Sequence, residues 1–206
     1  MKRIAKIISR IILFSTIIAI LTLFGLYIWL NLRIDNIIDK ETYNHLVEEI
    51  KASEDLPERF YEIYGIVTKF DKKSTTNKYF FNRILNVRNY HEKNPCPCVD
   101  VGYDVVFNPL DKWTVGLALD REVSPKKCLD FYLSRFDFLY NTRGIKSASK
   151  FYYQKDLEQL SDDEMLEISV MTLNPSYYNK IRRPDKLKER IEKIKMNKDK
   201  INMNQN

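Results

Sequence analysis

The sequence predicts a mainly α-helical protein with a single membrane-spanning helix at its N-terminus, and three stretches carry that expectation. Ile11 to Leu30, IILFSTIIAILTLFGLYIWL, runs 20 residues without a charge, enough to cross a bilayer as a helix. Leu117, Leu119, Cys128, Leu129, Tyr132 and Leu133 recur at helical spacing. Ser161, with Glu164 three residues on, reads as an N-cap and capping box. Met165, Ile168 and Met171–Leu173 then repeat on one face until Asn174-Pro175 stops the helix. Between these two helical patterns lies a polar, aromatic loop.

Taken in order, the chain opens with a basic tail, residues 1–10. Lys2, Arg3, Lys6 and Arg10 precede the apolar run with no acidic residue among them. That asymmetry places the N-terminus in the cytoplasm and the remainder outside. Tyr27 and Trp29 stand at the far end of the span, residues 11–30, where interfacial aromatics belong. LYIWLNLR offers no small-x-small cleavage site, so the run reads as an uncleaved anchor rather than a signal peptide. A juxtamembrane helical stalk is expected over 31–55, with Ile34, Ile37, Ile38, Leu46, Val47 and Ile50 near one face.

The main domain is expected over 56–196. The net charge of +6 belongs to the ends of the chain, because residues 180–206 alone hold ten basic against four acidic side chains. Residues 11–179 are mildly acidic, which excludes a basic nucleic-acid-binding domain. Tyr79-Phe80-Phe81 reads as a core-packing helix rather than an exposed aromatic patch. Cys96-Pro97-Cys98, near His91 and Asp100, invites a metal reading. C-x-C is a poor zinc spacing, however, and no second pair completes the ligand set. Cys128 reads as a small core residue. No Gly-rich phosphate loop and no Ser-His-Asp grouping is present, so no cofactor is expected and nucleophilic hydrolysis has no support. Pro184 to Met196 reads as a basic amphipathic helix, and residues 197–206 as a disordered tail.

Motifs in the second half give the chain a family resemblance. Ala148-Ser149-Lys150-Phe151-Tyr152-Tyr153-Gln154-Lys155-Asp156-Leu157, then Leu160-Ser161 and Glu164, fall without a gap on the pattern A-A-x-Y-Y-F-G-K-x-L-x-x-L-T-x-x-E. Pro175, Tyr178 and Arg190 continue it, and Ser124 to Leu133 is similar to S-K-x-x-I-L-E-x-Y-L, with Ser134 where Asn is usual. These patterns resemble glycosyltransferase family 51, the peptidoglycan glycosyltransferase domain of class A penicillin-binding proteins and monofunctional transglycosylases. The resemblance implies a lysozyme-like helical domain and a lipid-linked disaccharide as substrate. It also implies two catalytic carboxylates.

Neither carboxylate stands where the resemblance puts it. Counted from Pro57, the position of the catalytic base is Thr68, followed by Lys69; sliding by two residues puts Ile66 there instead. Val101 to Asn108 occupies the place of I-T-Q-Q-x-x-K-N: Asn108 matches, Tyr103 and Asp104 replace the glutamines, and Phe107 replaces the lysine. The R-K-x-x-E signature ends on Lys112, with Asn108 and Pro109 where Arg and Lys belong. Asp120 matches a common family acid and on an amphipathic helix reads equally as a solvated surface charge, and Lys155 matches the lysine after the aromatic run. A general base for a sugar hydroxyl is worth roughly 10²–10⁴-fold, and a threonine hydroxyl is no base near neutral pH. Lys112 reverses a charge yet could hold a diphosphate as a point cation.

Three readings follow. The first is a silent relative that binds lipid-linked peptidoglycan precursor, a glycan strand or a cell-wall synthase through Asn108, Lys112 and Lys155. The second is a working transferase whose acids have moved to Asp104 and Asp120. The third is a membrane-anchored adaptor that kept only the scaffold. In the first, Thr68, Asn108 and Lys112 are expected to approach one cleft.

Overall fold

A computed structural model describes residues 2–73, 75–85 and 96–203. Ten α-helices and two short 3-10 turns are the regular elements among the described residues. There is no strand among them, only isolated antiparallel bridges at Asp137–Arg143 and Asn179–Arg183. This mostly helical body behind one apolar helix fits the lysozyme-like class expected from the motifs. His91, which figured in the metal reading, lies outside the described residues, and so do Asn204 to Asn206.

Helix α1, Lys2–Leu32, contains the apolar run and is long enough to span a membrane. A 3-10 turn, Ile34–Asn36, follows. Helix α2, Lys40–Ala52, starts where Asp39 accepts a hydrogen bond from the Thr42 amide. Segment 31–55 is therefore a turn and a helix, not one continuous stalk helix. Leu46, Val47 and Ile50 of α2 are buried together with Cys98, Val115, Leu119 and Phe131. The apolar face of α2 is thus covered by the domain itself.

Prolines and caps set the next boundaries. α5 (Pro97–Val105), α6 (Pro109–Leu119) and α7 (Pro125–Arg135) each have proline in the first turn, where the missing N–H costs nothing. Asn108 and Ser124 cap α6 and α7 with their side chains. The single periodic pattern expected from Leu117 to Leu133 is thus two helices, broken at Asp120–Ser124 by the Ser124-Pro125 start signal. α5 and α6 form an antiparallel pair in close contact. A Cβ at Gly116 would lie 2.6 Å from Val99 Cγ2, and one at Gly102 would lie 3.1 Å from the Lys112 backbone.

A disulfide joins Cys98 of α5 to Cys128 of α7. This corrects the reading of Cys128 as merely a small core residue; with three cysteines in the chain, spacing did not select a pair. Cys96 is the free, buried cysteine, and burial pushes its thiol up to about 12. Among the described residues no group of three His, Cys, Asp or Glu side chains could hold a metal ion.

The second core lies between α3 (Glu58–Thr68), α8 (Ile145–Tyr153), α9 (Asp162–Met171) and α10 (Pro184–Met203). The stretch expected to be a loop between the helical patterns contains α8 and a 3-10 turn, Leu157–Gln159. Ile145, Ala148, Ser149 and Tyr153 of α8 are buried at helical spacing, and Gln154 in the left-handed region ends it. The Ser161/Glu164 capping box of α9 is formed in both directions. Helix α9 stops at Met171, before the expected Asn174-Pro175. Asn174 instead accepts hydrogen bonds from the Ser176 and Tyr177 amides in the turn that follows. α10 continues to Met203, past the expected end at Met196, over a Lys-, Asn- and Ile-bearing run with no Gly or Pro to break it.

Candidate functional site

The expected base position, Thr68, closes α3. Only 3% of Thr68 is exposed. Its hydroxyl donates to the Tyr64 carbonyl at 2.7 Å and accepts from the Phe70 amide at 3.2 Å. Lys69 follows in the left-handed conformation and its amide returns to Gly65. Thr68 thus serves as the hydrogen-bonding end of its helix, and so enclosed a side chain does not open on a cleft.

The α5–α6 hairpin carries six more of the expected residues. Asn108 is taken up by capping, its Oδ1 accepting from the Leu110 amide at 2.9 Å. One turn into α6, Lys112 lays its ammonium 3.6 Å from the centre of the Tyr103 ring, a cation–π contact. The structure therefore brings Tyr103 and Lys112 together, both replacements for polar or acidic family positions. Phe107, between the two helices, is 100% exposed.

Asp104 and Asp120 do not form a carboxylate pair. Because α5 and α6 run antiparallel, Asp104 at the end of α5 and Asp120 at the end of α6 lie at opposite ends of the hairpin. By helical rise that separation is on the order of 13 Å along the helix axis. Their surroundings differ accordingly. Desolvation raises the Asp104 carboxyl, offset by the charges of Arg135 and Arg143. Burial also raises Asp120, opposed by hydrogen bonds from Thr76. Asp120 accepts from the Thr76 amide at 2.5 Å at the start of α4 (Thr76–Leu85). There a negative group meets the positive end of a helix. It is a cap supplied from another helix, rather than a solvated surface charge.

Lys155 is likewise engaged. Its ammonium donates to both Glu164 oxygens, at 2.7 and 2.9 Å. That contact, with the Ser161 bonds, holds the Glu164 carboxyl down to about 2.

One buried polar group was not foreseen. Asp130 on α7 is 1% exposed and accepts a hydrogen bond from the Tyr61 hydroxyl, which itself accepts from the Leu56 amide at 3.0 Å. Burial raises the Asp130 carboxyl to about 6, and its second oxygen is buried without a hydrogen-bond partner. Periodicity placed Asp130 on a helix but gave no sign that it faces inward.

Residues 106–198 match the family model described as Transglycosylase. The chain is 34% identical to penicillin-binding protein 1F of Bacillus subtilis over 80 residues, covering 39% of this chain and 11% of that protein. It is 31% identical to penicillin-binding protein 1A/1B of the same organism over 77 residues, 37% of this chain and 8% of that one. A biosynthetic peptidoglycan transglycosylase of Acinetobacter baumannii is 26% identical over 72 residues, 35% of this chain and 32% of the relative. The chain thus spans about a tenth of the length of the first two relatives and about a third of the last.

Proposed function

The chain carries a transglycosylase-like domain of glycosyltransferase family 51, and on that premise we propose that it is a membrane-anchored protein of cell-wall biogenesis that binds lipid-linked glycan without polymerising it. The carrying observation is the state of Thr68. At the base position the chain has a hydroxyl that is buried and used on both sides by its own backbone. Proton abstraction from an acceptor sugar needs a carboxylate or comparable base within hydrogen-bond reach, and Thr68 supplies neither the basicity nor the access. The relocated-acid reading gains no support from a pair of aspartates at opposite ends of a hairpin.

Binding is a separate matter from catalysis. Lys112 keeps a cation beside the α5–α6 turn, a group able to hold a diphosphate as a point charge. Asn108 and Lys155 are the accompanying residues carried over from the motifs. Anchoring through α1 with the domain outside agrees with the basic residues before the span and with the Cys98–Cys128 bond, since disulfides persist in oxidising compartments. A cell-wall synthase is the protein partner that this reading admits.

The test is a binding measurement on the full chain in lipid nanodiscs, with lipid-linked disaccharide and polyprenyl diphosphate as probes. Saturable binding of both, weakened by Lys112→Ala, is the expected result. No binding of either probe would leave the adaptor reading in its place.

A further inference from the structure

One face of the domain is built from α8 and the two turns beside it. The bridge at Asp137–Arg143 closes a hairpin in which the Thr142 amide donates to the Leu139 carbonyl at 2.9 Å. Leu139, Tyr140 and Asn141 stand at φ 70°, 53° and 58°, the left-handed region where glycine and asparagine are at ease and a tyrosine is not. A turn needed only for folding avoids that strain by carrying glycine, so strain kept in such a turn points to function. What the turn gains from Tyr140 is a ring, 46% exposed, that stacks at 6.0 Å on the exposed Phe151 of α8.

A buried asparagine fixes the neighbouring turn, residues 174–183, to the same helix. The side chain of Asn179, which is wholly buried, donates to the Tyr152 hydroxyl at 2.9 Å and accepts from the Ile181 and Arg182 amides, each at 3.0 Å. Tyr152 passes the link on by donating to the Phe138 carbonyl at 2.7 Å. Held in place this way are the exposed Tyr177, with the Arg183 guanidinium 5.3 Å from its ring centre, and Ile181, 56% exposed. The Tyr140–Phe151 pair and the Tyr177–Ile181 turn thus adjoin across one hydrogen bond.

Charge on this face is unbalanced. Residues 174–186 hold Lys180, Arg182, Arg183 and Lys186 against Asp185 alone. Lys180 is paired with Glu167 and Lys186 with Glu189, as Arg33, Arg59 and Arg135 are paired with carboxylates elsewhere. Arg182 and Arg183 are exposed and have no carboxylate partner among the described residues. Exposed Tyr, Phe and Arg, with the lysines already neutralised, is the composition of a protein interface, where Tyr and Arg carry much of the binding energy. Lipid fits less well as the occupant: α1 packs on α6 and the first 3-10 turn, whereas α8 packs on α7, α9 and the second 3-10 turn, a different set of elements. A bare polyanion would pair with the guanidiniums and leave the rings uncovered.

We propose that Tyr140, Phe151, Tyr177, Ile181, Arg182 and Arg183 form a docking surface for an acidic segment of a partner protein. Apolar residues of that segment cover the rings, and its Asp or Glu side chains take the two guanidiniums, whose planar forks match carboxylates. Because the turns are already fixed by Asn179 and Tyr152, little ordering is left to offset the contact. The inference stands apart from glycan binding, since this face carries none of Asn108, Lys112 and Lys155.

The test is selection from a phage-displayed dodecapeptide library on the full chain in phosphatidylcholine nanodiscs, followed by fluorescence anisotropy with the enriched peptides. The expected peptides combine Asp or Glu with apolar residues, and their affinity falls about tenfold or more in Arg182→Glu/Arg183→Glu and in Phe151→Ala. Lys40→Glu/Lys73→Glu makes the same change in net charge at exposed positions away from this face and should leave affinity unchanged. Tyr140→Asn should weaken binding without lowering the unfolding temperature, because it relieves the turn while removing the ring. A lowered unfolding temperature with binding intact would make the ring structural and overturn its place in the surface. No enrichment, enrichment without acidic residues, or equal loss in both charge reversals overturns the docking surface. Self-association that Arg182→Glu/Arg183→Glu abolishes would give the face to a second copy, and polyphosphate binding more tightly than any peptide would give it to a polyanion; either result overturns the proposal.

Discussion

Opening the Cys98–Cys128 bond should lower the unfolding free energy of the domain by about 3–4 kcal/mol. The bond closes a loop with a sequence separation of 30 residues that runs from α5 through α6 to α7. In the chain-entropy account, a closed loop of that size removes about 12 cal/mol/K from the unfolded ensemble, or about 3.7 kcal/mol at 25 °C. Both cysteines are buried, in the core that α2, α5, α6 and α7 share. Truncating them to alanine would therefore leave two small voids and add a packing loss of its own. Reduction of the wild-type protein keeps the sulfur atoms and isolates the cross-link. The assay is equilibrium urea unfolding of the full chain in mild detergent, with and without reductant, alongside Cys98→Ala/Cys128→Ala. Reductant should shift the wild type by the stated amount and leave the double variant unmoved. If the number of reactive thiols in the unfolded wild type rises on reduction and the midpoint nevertheless stays put, the loop-entropy reasoning is wrong.

The remaining expectations concern charge, the helix end and topology. Asp130 has its proton affinity raised by folding, from 3.8 to about 6. Its contribution is therefore fully present below about pH 4 and is lost as the pH rises through about 6. That loss is up to about 3 kcal/mol, and Asp130→Asn should flatten the fall in thermal stability between pH 4 and 7; an unchanged slope would assign the fall to other groups. Thr68→Val removes the acceptor of the Phe70 amide and should cost about 1–2 kcal/mol in unfolding experiments. Binding of lipid-linked disaccharide should survive that change; lost binding at full stability would mean that the hydroxyl meets the ligand. Protease added to intact spheroplasts should digest the chain beyond about residue 40, a boundary set by the length a bilayer needs, whereas full protection would reverse the topology.

Much of this structure was legible from local signals. An uncharged run, prolines followed by helical repeats, and the Ser161/Glu164 box each act within a few residues, so their elements could be read directly. Other features depend on what the chain meets after folding. Asp120 looked like a surface charge because its partner, the Thr76 amide, is 44 residues away. The Cys98–Cys128 pair and the inward turn of Asp130 are set by the packing of α7 against α5 and α3, which no spacing encodes. α8 reads as loop in the sequence because its polar and aromatic residues mask the helical spacing of a helix only nine residues long. For the candidate site, the motif register identified which positions had lost their family residues. Only the fold showed what occupies them now: Thr68 ends a helix, Asn108 starts one, and Lys112 lies on a tyrosine.

The central claim is that this transglycosylase-like domain binds without catalysing, and strand synthesis tests it most directly. The full chain, reconstituted in lipid, is incubated with lipid-linked disaccharide and the products are resolved by gel. Thr68→Glu and Thr68→Glu/Lys112→Glu are run beside it. The wild type should make no glycan strands. Thr68→Glu should recover little, because the cation at 112 and the apolar ring at 107 remain and such losses need not be additive. Strands made by the wild type, and abolished by Asp104→Asn or Asp120→Asn, would contradict the account and show that the chain has moved its acids.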